Sequence, residues 1–335
     1  MVSVVIGLVL VGGMLSVFAS SRQALRLNEN LARVQEGGRF AVELLVRDIR
    51  ESGSTPCGTP LTANVVARVS GALPWWASTY DGLVRGFGSS TDSAAISGFG
   101  TSAGDRVSNT EAILLLKVAT DEAMLRRLAS HTPATPVFTD GQAISTGVKD
   151  KLENAPVIVC DGQSAALLRV GSINTSSNTY AYGTGTNCST ALGTADASCG
   201  GLSTKTFPAG SLISLWDPSF WYVGHNGRGG TSLFRASAAV GSGGAISLSK
   251  EEMVPDVADL DVTFLTRDRN AANALATGWK SPDDAAFSGG WNSTNAEIVA
   301  VQVGLLLRSP EAAGSDGNPL TRRFVALASL RSREL

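Results

Sequence analysis

The residues whose spacing could support catalysis are Gly100-Thr101-Ser102-Ala103-Gly104, a match to G-x-S-x-G. Asp140 and His225 follow in the order Ser, Asp, His of an α/β-hydrolase triad, so Ser102 is the candidate nucleophile of a serine hydrolase. A nucleophile elbow needs a strand running into the motif and a helix leaving it. Here the flanks are "SSTDSAAISGF" and "DRVSNTE", small and polar, without helical period. The histidines are His131 and His225. His131, in "RRLASHTPATP", and His225, in a glycine turn, both read as solvated loop residues. Glu251-Glu252 and Asp283-Asp284 are adjacent in sequence and read as solvated charge. "RDRN" followed by "AANALATG" lacks the alternating carboxylates of a calcium loop, and "GSGGAIS" lacks the lysine of a phosphate loop. Asn174, Asn187 and Asn292 fit N-x-[ST]. No catalytic, metal or cofactor site is expected, and the chain does not read as an enzyme.

The four cysteines, Cys57, Cys160, Cys188 and Cys199, form no CxxC pair, which argues against structural zinc. An even count behind an apolar N-terminus reads as two disulfides in an oxidising compartment. Four cysteines allow three connectivities. The expected one is Cys188–Cys199, around the small-residue loop "STALGTADAS", with Cys57–Cys160, joining a helix end to a sheet strand. Chain entropy makes the first worth about 3 kcal/mol and the second about 5 kcal/mol. The chain is 43% apolar and 17% charged, with 37 glycines and a net charge of −2. That suits a turn-rich, secreted β protein. No basic stripe is present for a nucleic-acid backbone, and direct nucleic-acid binding is not expected.

These residues need elements to hold them, and the N-terminus supplies the largest. Residues 1–21 carry no charge and, as a helix, are about as long as a bilayer's hydrocarbon layer is thick. From Arg22 to Glu51 the pattern becomes amphipathic: Leu27, Leu31, Val34, Gly38, Val42, Leu45 and Ile49 recur at spacings of three and four. The two halves read as one helix about 75 Å long, with 1–21 in the membrane and 22–51 packed on the head or on neighbouring subunits. Arg22, Arg26 and Arg33 follow the span, so the positive-inside rule alone would leave the rest of the chain in the cytoplasm. The cysteines place it on the other side. A short basic segment encoded upstream of Met1 would reconcile the two.

Residues 52–335 read as a β-rich head. Candidate strands are 112–119, 157–159, 166–170, 212–216, 220–223, 232–236, 260–266, 297–307 and 323–330, the last two as a closing antiparallel hairpin. Three stretches rich in small polar residues, about 58–110, 172–206 and 267–294, read as insertions. Trp75, Trp76, Trp279 and Trp291 fall within them and read as anchors at core edges.

"MVSVVIGLVLVGG" resembles the stretch after the cleavage motif of type IV prepilins. "GGRFAVELLVRDIRESG" followed by Cys57, "TEAILLLKVA", "APVIVCDGQSAALLRV", "FWYVGHNGRGGTSLFRAS", "EEMVPDVADLDVTFLTRD", "IVAVQVGLLLRSP" and "RRFVALASLRSREL" resemble, in that order, segments of PilW-like minor pilins. The resemblance implies an α+β, pilin-like fold: a long N-terminal helix on an antiparallel sheet. It implies a leader ending in glycine and a Glu-containing apolar hexapeptide upstream of Met1, with cleavage and methylation by a prepilin peptidase. It further implies an inner-membrane anchor, a periplasmic head, and assembly with other minor pilins and the major pilin at a pilus tip. The pilus would serve twitching, adhesion or DNA uptake. A J-type minor pseudopilin of type II secretion, a tip adhesin, and a tethered hydrolase using Ser102 are the alternatives.

Overall fold

The computed structural model describes residues 2–330 except 54, 80–81, 120, 122–123, 195–198, 201–202, 292 and 313–316. Asn292, one of the N-x-[ST] asparagines, lies outside the described residues.

Helix α1 runs unbroken from Val2 to Glu51. No proline interrupts it, and its end is written locally. Ser52 donates its hydroxyl to the Ile49 carbonyl at 2.7 Å, and Gly53 takes φ +76°, the left-handed turn that glycine adopts without strain. The Gly53 N–H then bonds the Leu116 carbonyl at 3.0 Å, so the chain leaves the helix already tied to the head.

Among the described residues the head holds three sheets where the sequence leads one to expect a single one. The first contains β2 (Val84–Phe87), β3 (Ala112–Leu115), β11 (Ser219–His225), β12 (Thr231–Val240) and β13 (Ile246–Pro255), antiparallel in the order β13-β12-β11-β3-β2. The second contains β14 (Val257–Asp268), β15 (Ala274–Leu275), β16 (Glu297–Arg308) and β17 (Thr321–Ser329), in the order β15-β14-β16-β17. The third has eight short strands: β1 (Leu61–Asn64), β4 (Arg126–Thr132), β5 (Val137–Asp140), β6 (Pro156–Cys160), β7 (Ala165–Arg169), β8 (Ser172–Asn174), β9 (Thr179–Ala181) and β10 (Leu212–Leu215). Their order is β1-β7-β6-β10-β4-β5-β9-β8, and β1 with β7 is a parallel pair. A short helix α2 (Thr146–Leu152), capped by the Ser145 hydroxyl accepting from the Val148 N–H, packs beside it. The architecture is α+β: one long helix and mostly antiparallel sheets.

The layers follow from strand alternation. In β3 and β11, Ile113, Leu115, Trp221 and Val223 face a core shared with α1, while Ala112, Leu114, Phe220 and Tyr222 face a second core against the eight-stranded sheet. In β6, Ile158 and Cys160 face that second core, and Val157 and Val159 face a third, with α2. Strands buried on both faces read as continuous apolar runs, and "AILLL", "FWYV" and "VIVC" do so. The segments that read as insertions also carry strands: β1 and β2 in 58–110, β8 and β9 in 172–206, β15 in 267–294. Arg106 pins the first. Its guanidinium, with the whole side chain buried, donates to the carbonyls of Gly88 and Thr91 at 2.9 Å each and of Thr110, and lies 4.6 Å over the Phe99 ring. Burial pulls its pKa down to about 10.

Candidate functional site

The surface with functional content is α1 and what holds it. Asn30, Val34, Gly38, Ala41, Leu45, Asp48 and Ile49 are buried, one line at spacings of three and four. Val34, Leu45 and Ile49 join Val262, Val303, Leu305 and Ala328 in the core, and Val42 packs at its edge. At Gly38 the helix comes so close to β17 that a Cβ would stand 2.2 Å from the Phe324 ring. Leu27 and Leu31 continue the line but are more open, 37% and 39% exposed. Of the seven residues expected to pack, therefore, Val34, Gly38, Leu45 and Ile49 are seated, Val42 is half-buried, and Leu27 and Leu31 are exposed.

The far end of the seat is polar. Asp48 Oδ2 accepts hydrogen bonds from the Trp221 indole N–H at 2.8 Å and the Ser219 hydroxyl at 2.9 Å. Its other oxygen meets Lys117 Nζ at 3.1 Å, and the same ammonium lies 3.6 Å from Glu51 and 3.7 Å from Asp217. Arg235 closes the group, 2.8 Å from Asp217 and 3.8 Å from Asp48. Three carboxylates and two cations thus clamp the last turn of α1 to β11, β12 and the end of β3. Buried charge is tolerated only when paired and hydrogen-bonded in this way. Sequence reasoning missed the clamp. Its one signal was Asp48, a charge three residues beyond Leu45 on the apolar line.

The structure pairs Cys57 with Cys160, Cα atoms 6.0 Å apart, and Cys188 with Cys199, 6.5 Å apart. The first ties the segment after α1 to β6; the second closes a loop of the segment 172–206.

The triad candidates do not assemble into a hydrolase. Ser102 is exposed in a bend with no helix after it, its N–H donating to the Asp105 carboxylate at 3.0 Å. His225 ends β11, and its backbone bonds Gly104 and Asp105. Asp140 is in another sheet, buried, its carboxylate held by Arg126 at 2.8 Å and by the Tyr180 hydroxyl. His131 corrects the reading of it as a surface residue. It is buried among Phe138, Tyr182 and Phe207. Burial pushes its imidazole down to about 4. Its Nδ1 accepts the Phe207 N–H at 3.0 Å, so the ring's proton is on Nε2, donated to the Tyr182 oxygen 2.7 Å away. Among the described residues no group of three or more His, Cys, Asp or Glu is placed to hold a metal ion. Trp76 is buried and its carbonyl accepts the Trp216 indole N–H, Trp291 stacks on Phe287 at 4.2 Å, and Trp279 is 37% exposed.

Beyond the head, α1 is bare. Leu8, Leu10, Met14, Leu15, Val17 and Phe18 are more than half exposed, and the helix is long and apolar enough to cross a membrane. Arg22 marks where the apolar run ends, its guanidinium 4.3 Å over the Phe18 ring.

Residues 220–328, from β11 through β17, match the family described as PilW, Type IV Pilus-assembly protein W. No curated protein and no solved structure matches the chain.

Proposed function

We propose that this chain, a PilW-like type IV pilus protein, is a minor pilin that acts by packing rather than by chemistry. The observation that carries the reading is one continuous helix. Its second half is seated against the family-matched strands, and its first half is apolar and bare. In this reading the bare half anchors the protein in the inner membrane and later joins the helices of other subunits. The head lies in the periplasm, where its disulfides form. Leu27 and Leu31, exposed just below the head, pack against neighbouring subunits. With other minor pilins the chain forms an initiating complex at the pilus tip, on which the major pilin polymerises. A prepilin peptidase processes and methylates it.

The test is genetic and structural together. Cells lacking the chain should carry few or no surface pili, and Leu27→Asp with Leu31→Asp should reproduce that loss while the chain still accumulates in the membrane. Gold labelling of the head should mark pilus ends. Normal piliation without the chain, or label spread evenly along filaments, would remove the reading.

A further inference from the structure

The lysine of the clamp is placed unlike the chain's other paired lysines. Lys117 leaves 4% of its side chain exposed, whereas Lys149, Lys151, Lys205 and Lys280, in their own ion pairs, leave 23–57%. Its backbone is fixed on both sides. The Lys117 carbonyl accepts the Asp217 N–H at 2.9 Å, and the Leu116 N–H bonds the Leu83 carbonyl at 2.8 Å. Asp48 is held as firmly, on the last turn of α1. Lys117 Nζ meets Asp48 Oδ1 at 3.1 Å, while Asp48 Oδ2 receives the Trp221 N–H and the Ser219 hydroxyl at 2.8 and 2.9 Å. Glu51 Oε2 stands 3.6 Å from the same Nζ. Asp217, at 3.7 Å, is taken up by Arg235 at 2.8 Å. One amine, one carboxyl with two donors on its far oxygen, and a second carboxylate are thus gathered in one buried place.

We propose that Lys117 and Asp48 condense to an isopeptide bond, joining α1 covalently to the sheet of β3, β11 and β12. The chain folds as the ion pair, and the amide forms from it afterwards. The ammonium first passes a proton to Asp48 Oδ1, leaving a neutral amine beside a neutral carboxyl. Nζ then attacks Cγ, and the charge that builds on Oδ2 falls between the Trp221 and Ser219 donors, an oxyanion site already in place. Glu51 takes a second proton from Nζ and hands it to Oδ1. The Nζ–Cγ bond has formed, the Cγ–Oδ1 bond breaks, and Oδ1 leaves as water with both protons. Nothing is oxidised or reduced. Two groups fixed in contact react at effective molarities of about 10⁵–10⁸ M, which favours condensation even in water. Burial pushes the same way, because an amide replaces two desolvated charges. The product leaves nothing stranded. Its carbonyl oxygen, the former Oδ2, keeps both donors, Asp217 keeps Arg235, and Glu51 keeps Arg47 at 3.4 Å.

The experiment is peptide mapping of the full chain, purified in detergent, incubated folded, then reduced, alkylated and digested with trypsin. Acylated Lys117 resists cleavage, so Val107–Arg126 should appear joined to the peptide Asp48–Arg50. The branched product should be lighter by one water than the two peptides together. Under full reduction the parent should also run faster on a denaturing gel than Lys117→Arg, which keeps the cation but forms no amide. Glu51→Gln should lower the yield of branched peptide at a fixed time at least about tenfold. The parent's own digest decides the matter even if a variant fails to fold. Separate peptides ending at Lys117 and beginning at Asp48, with no branched product after long incubation of the folded chain, would overturn the proposal. So would a branch from Lys117 to Glu51 or Asp217, an equal yield in Glu51→Gln, or an equal yield from the chain held in denaturant. None of these outcomes bears on the minor-pilin reading, which does not depend on the bond.

Discussion

Asp48→Ala tests the clamp with a magnitude that can be worked from its contacts. The substitution leaves Lys117 with Glu51 at 3.6 Å and Asp217 at 3.7 Å, so the cation is not orphaned. Trp221 and Ser219, 1% and 0% exposed, are left with N–H and O–H donors aimed at the vacated acceptor. Each unsatisfied buried donor costs roughly 1–3 kcal/mol, so the expected loss is about 3–5 kcal/mol, the range found for breaking a buried ion pair. Against a total stability of about 5–15 kcal/mol that is a large fraction. Asp48→Asn keeps an acceptor for both donors but turns an amide towards Lys117, and should lose about half as much. Denaturant unfolding of the chain in detergent, followed by tryptophan fluorescence, reads the result directly because Trp221 is in the clamp. An alanine variant as stable as the parent, or an asparagine variant as damaged as the alanine one, would refute the assignment of the energy to these hydrogen bonds.

Gly38→Val should destabilise by several kcal/mol through collision with Phe324, and adding Phe324→Ala should restore much of it; no recovery in the double variant's melting curve would place the strain elsewhere. His131 takes its proton near pH 6.5 when unfolded and near 4 when folded. Its contribution is therefore complete above pH 6.5 and lost as pH falls towards 4, by about 2–3 kcal/mol. Glu111, raised to about 7 chiefly by burial, works the other way, losing stability as pH rises through 7. The readout is the difference in melting temperature between the parent and His131→Gln at pH 7 and pH 4.5. Non-reducing peptide mapping should recover Cys57 joined to Cys160 and Cys188 joined to Cys199; a Cys57–Cys188 peptide would contradict the structure. Ser102→Ala should leave piliation intact and the purified protein equally inert towards esters, and serine-dependent hydrolysis would falsify the structural reading.

What the sequence revealed, it revealed through periodicity. The helix could be read along its length because its apolar spacing persists for fifty residues without proline. Strands buried on both faces, such as β3, β6 and β11, announced themselves as apolar runs. β8 and β9 did not, since "SINTSSNTYA" buries little beyond Ile173 and Tyr180, and β13 was hidden by its mostly exposed "SLSKEEM". Leu27 and Leu31 carry the same pattern as Val34 and Leu45, and nothing local says where the head ends. The clamp was out of reach for another reason. Lys117 and Asp217, beside strand ends, and Arg235, within β12, are ordinary polar residues until β3, β11 and β12 become neighbours. The parallel pairing of β1 with β7 joins segments about a hundred residues apart, which no local pattern encodes.

The placement of the clamp at the last turn of α1, with the seat running back from it towards the anchor, decides how the molecule bears load. Tension drawn along the helix axis meets the seat lengthwise. From Val34 to Glu51 the interface extends about 25 Å, and under such a pull its contacts must slide together, in shear, before any one of them is lost. A clamp at the near end would let the contacts unzip one after another. The Cys57–Cys160 bond lies just past the clamp, so if the helix did slip, the strain would pass to a covalent link with β6. The head is fastened to its shaft as a lap joint, which resists a pull along the helix and is weakest to a sideways one.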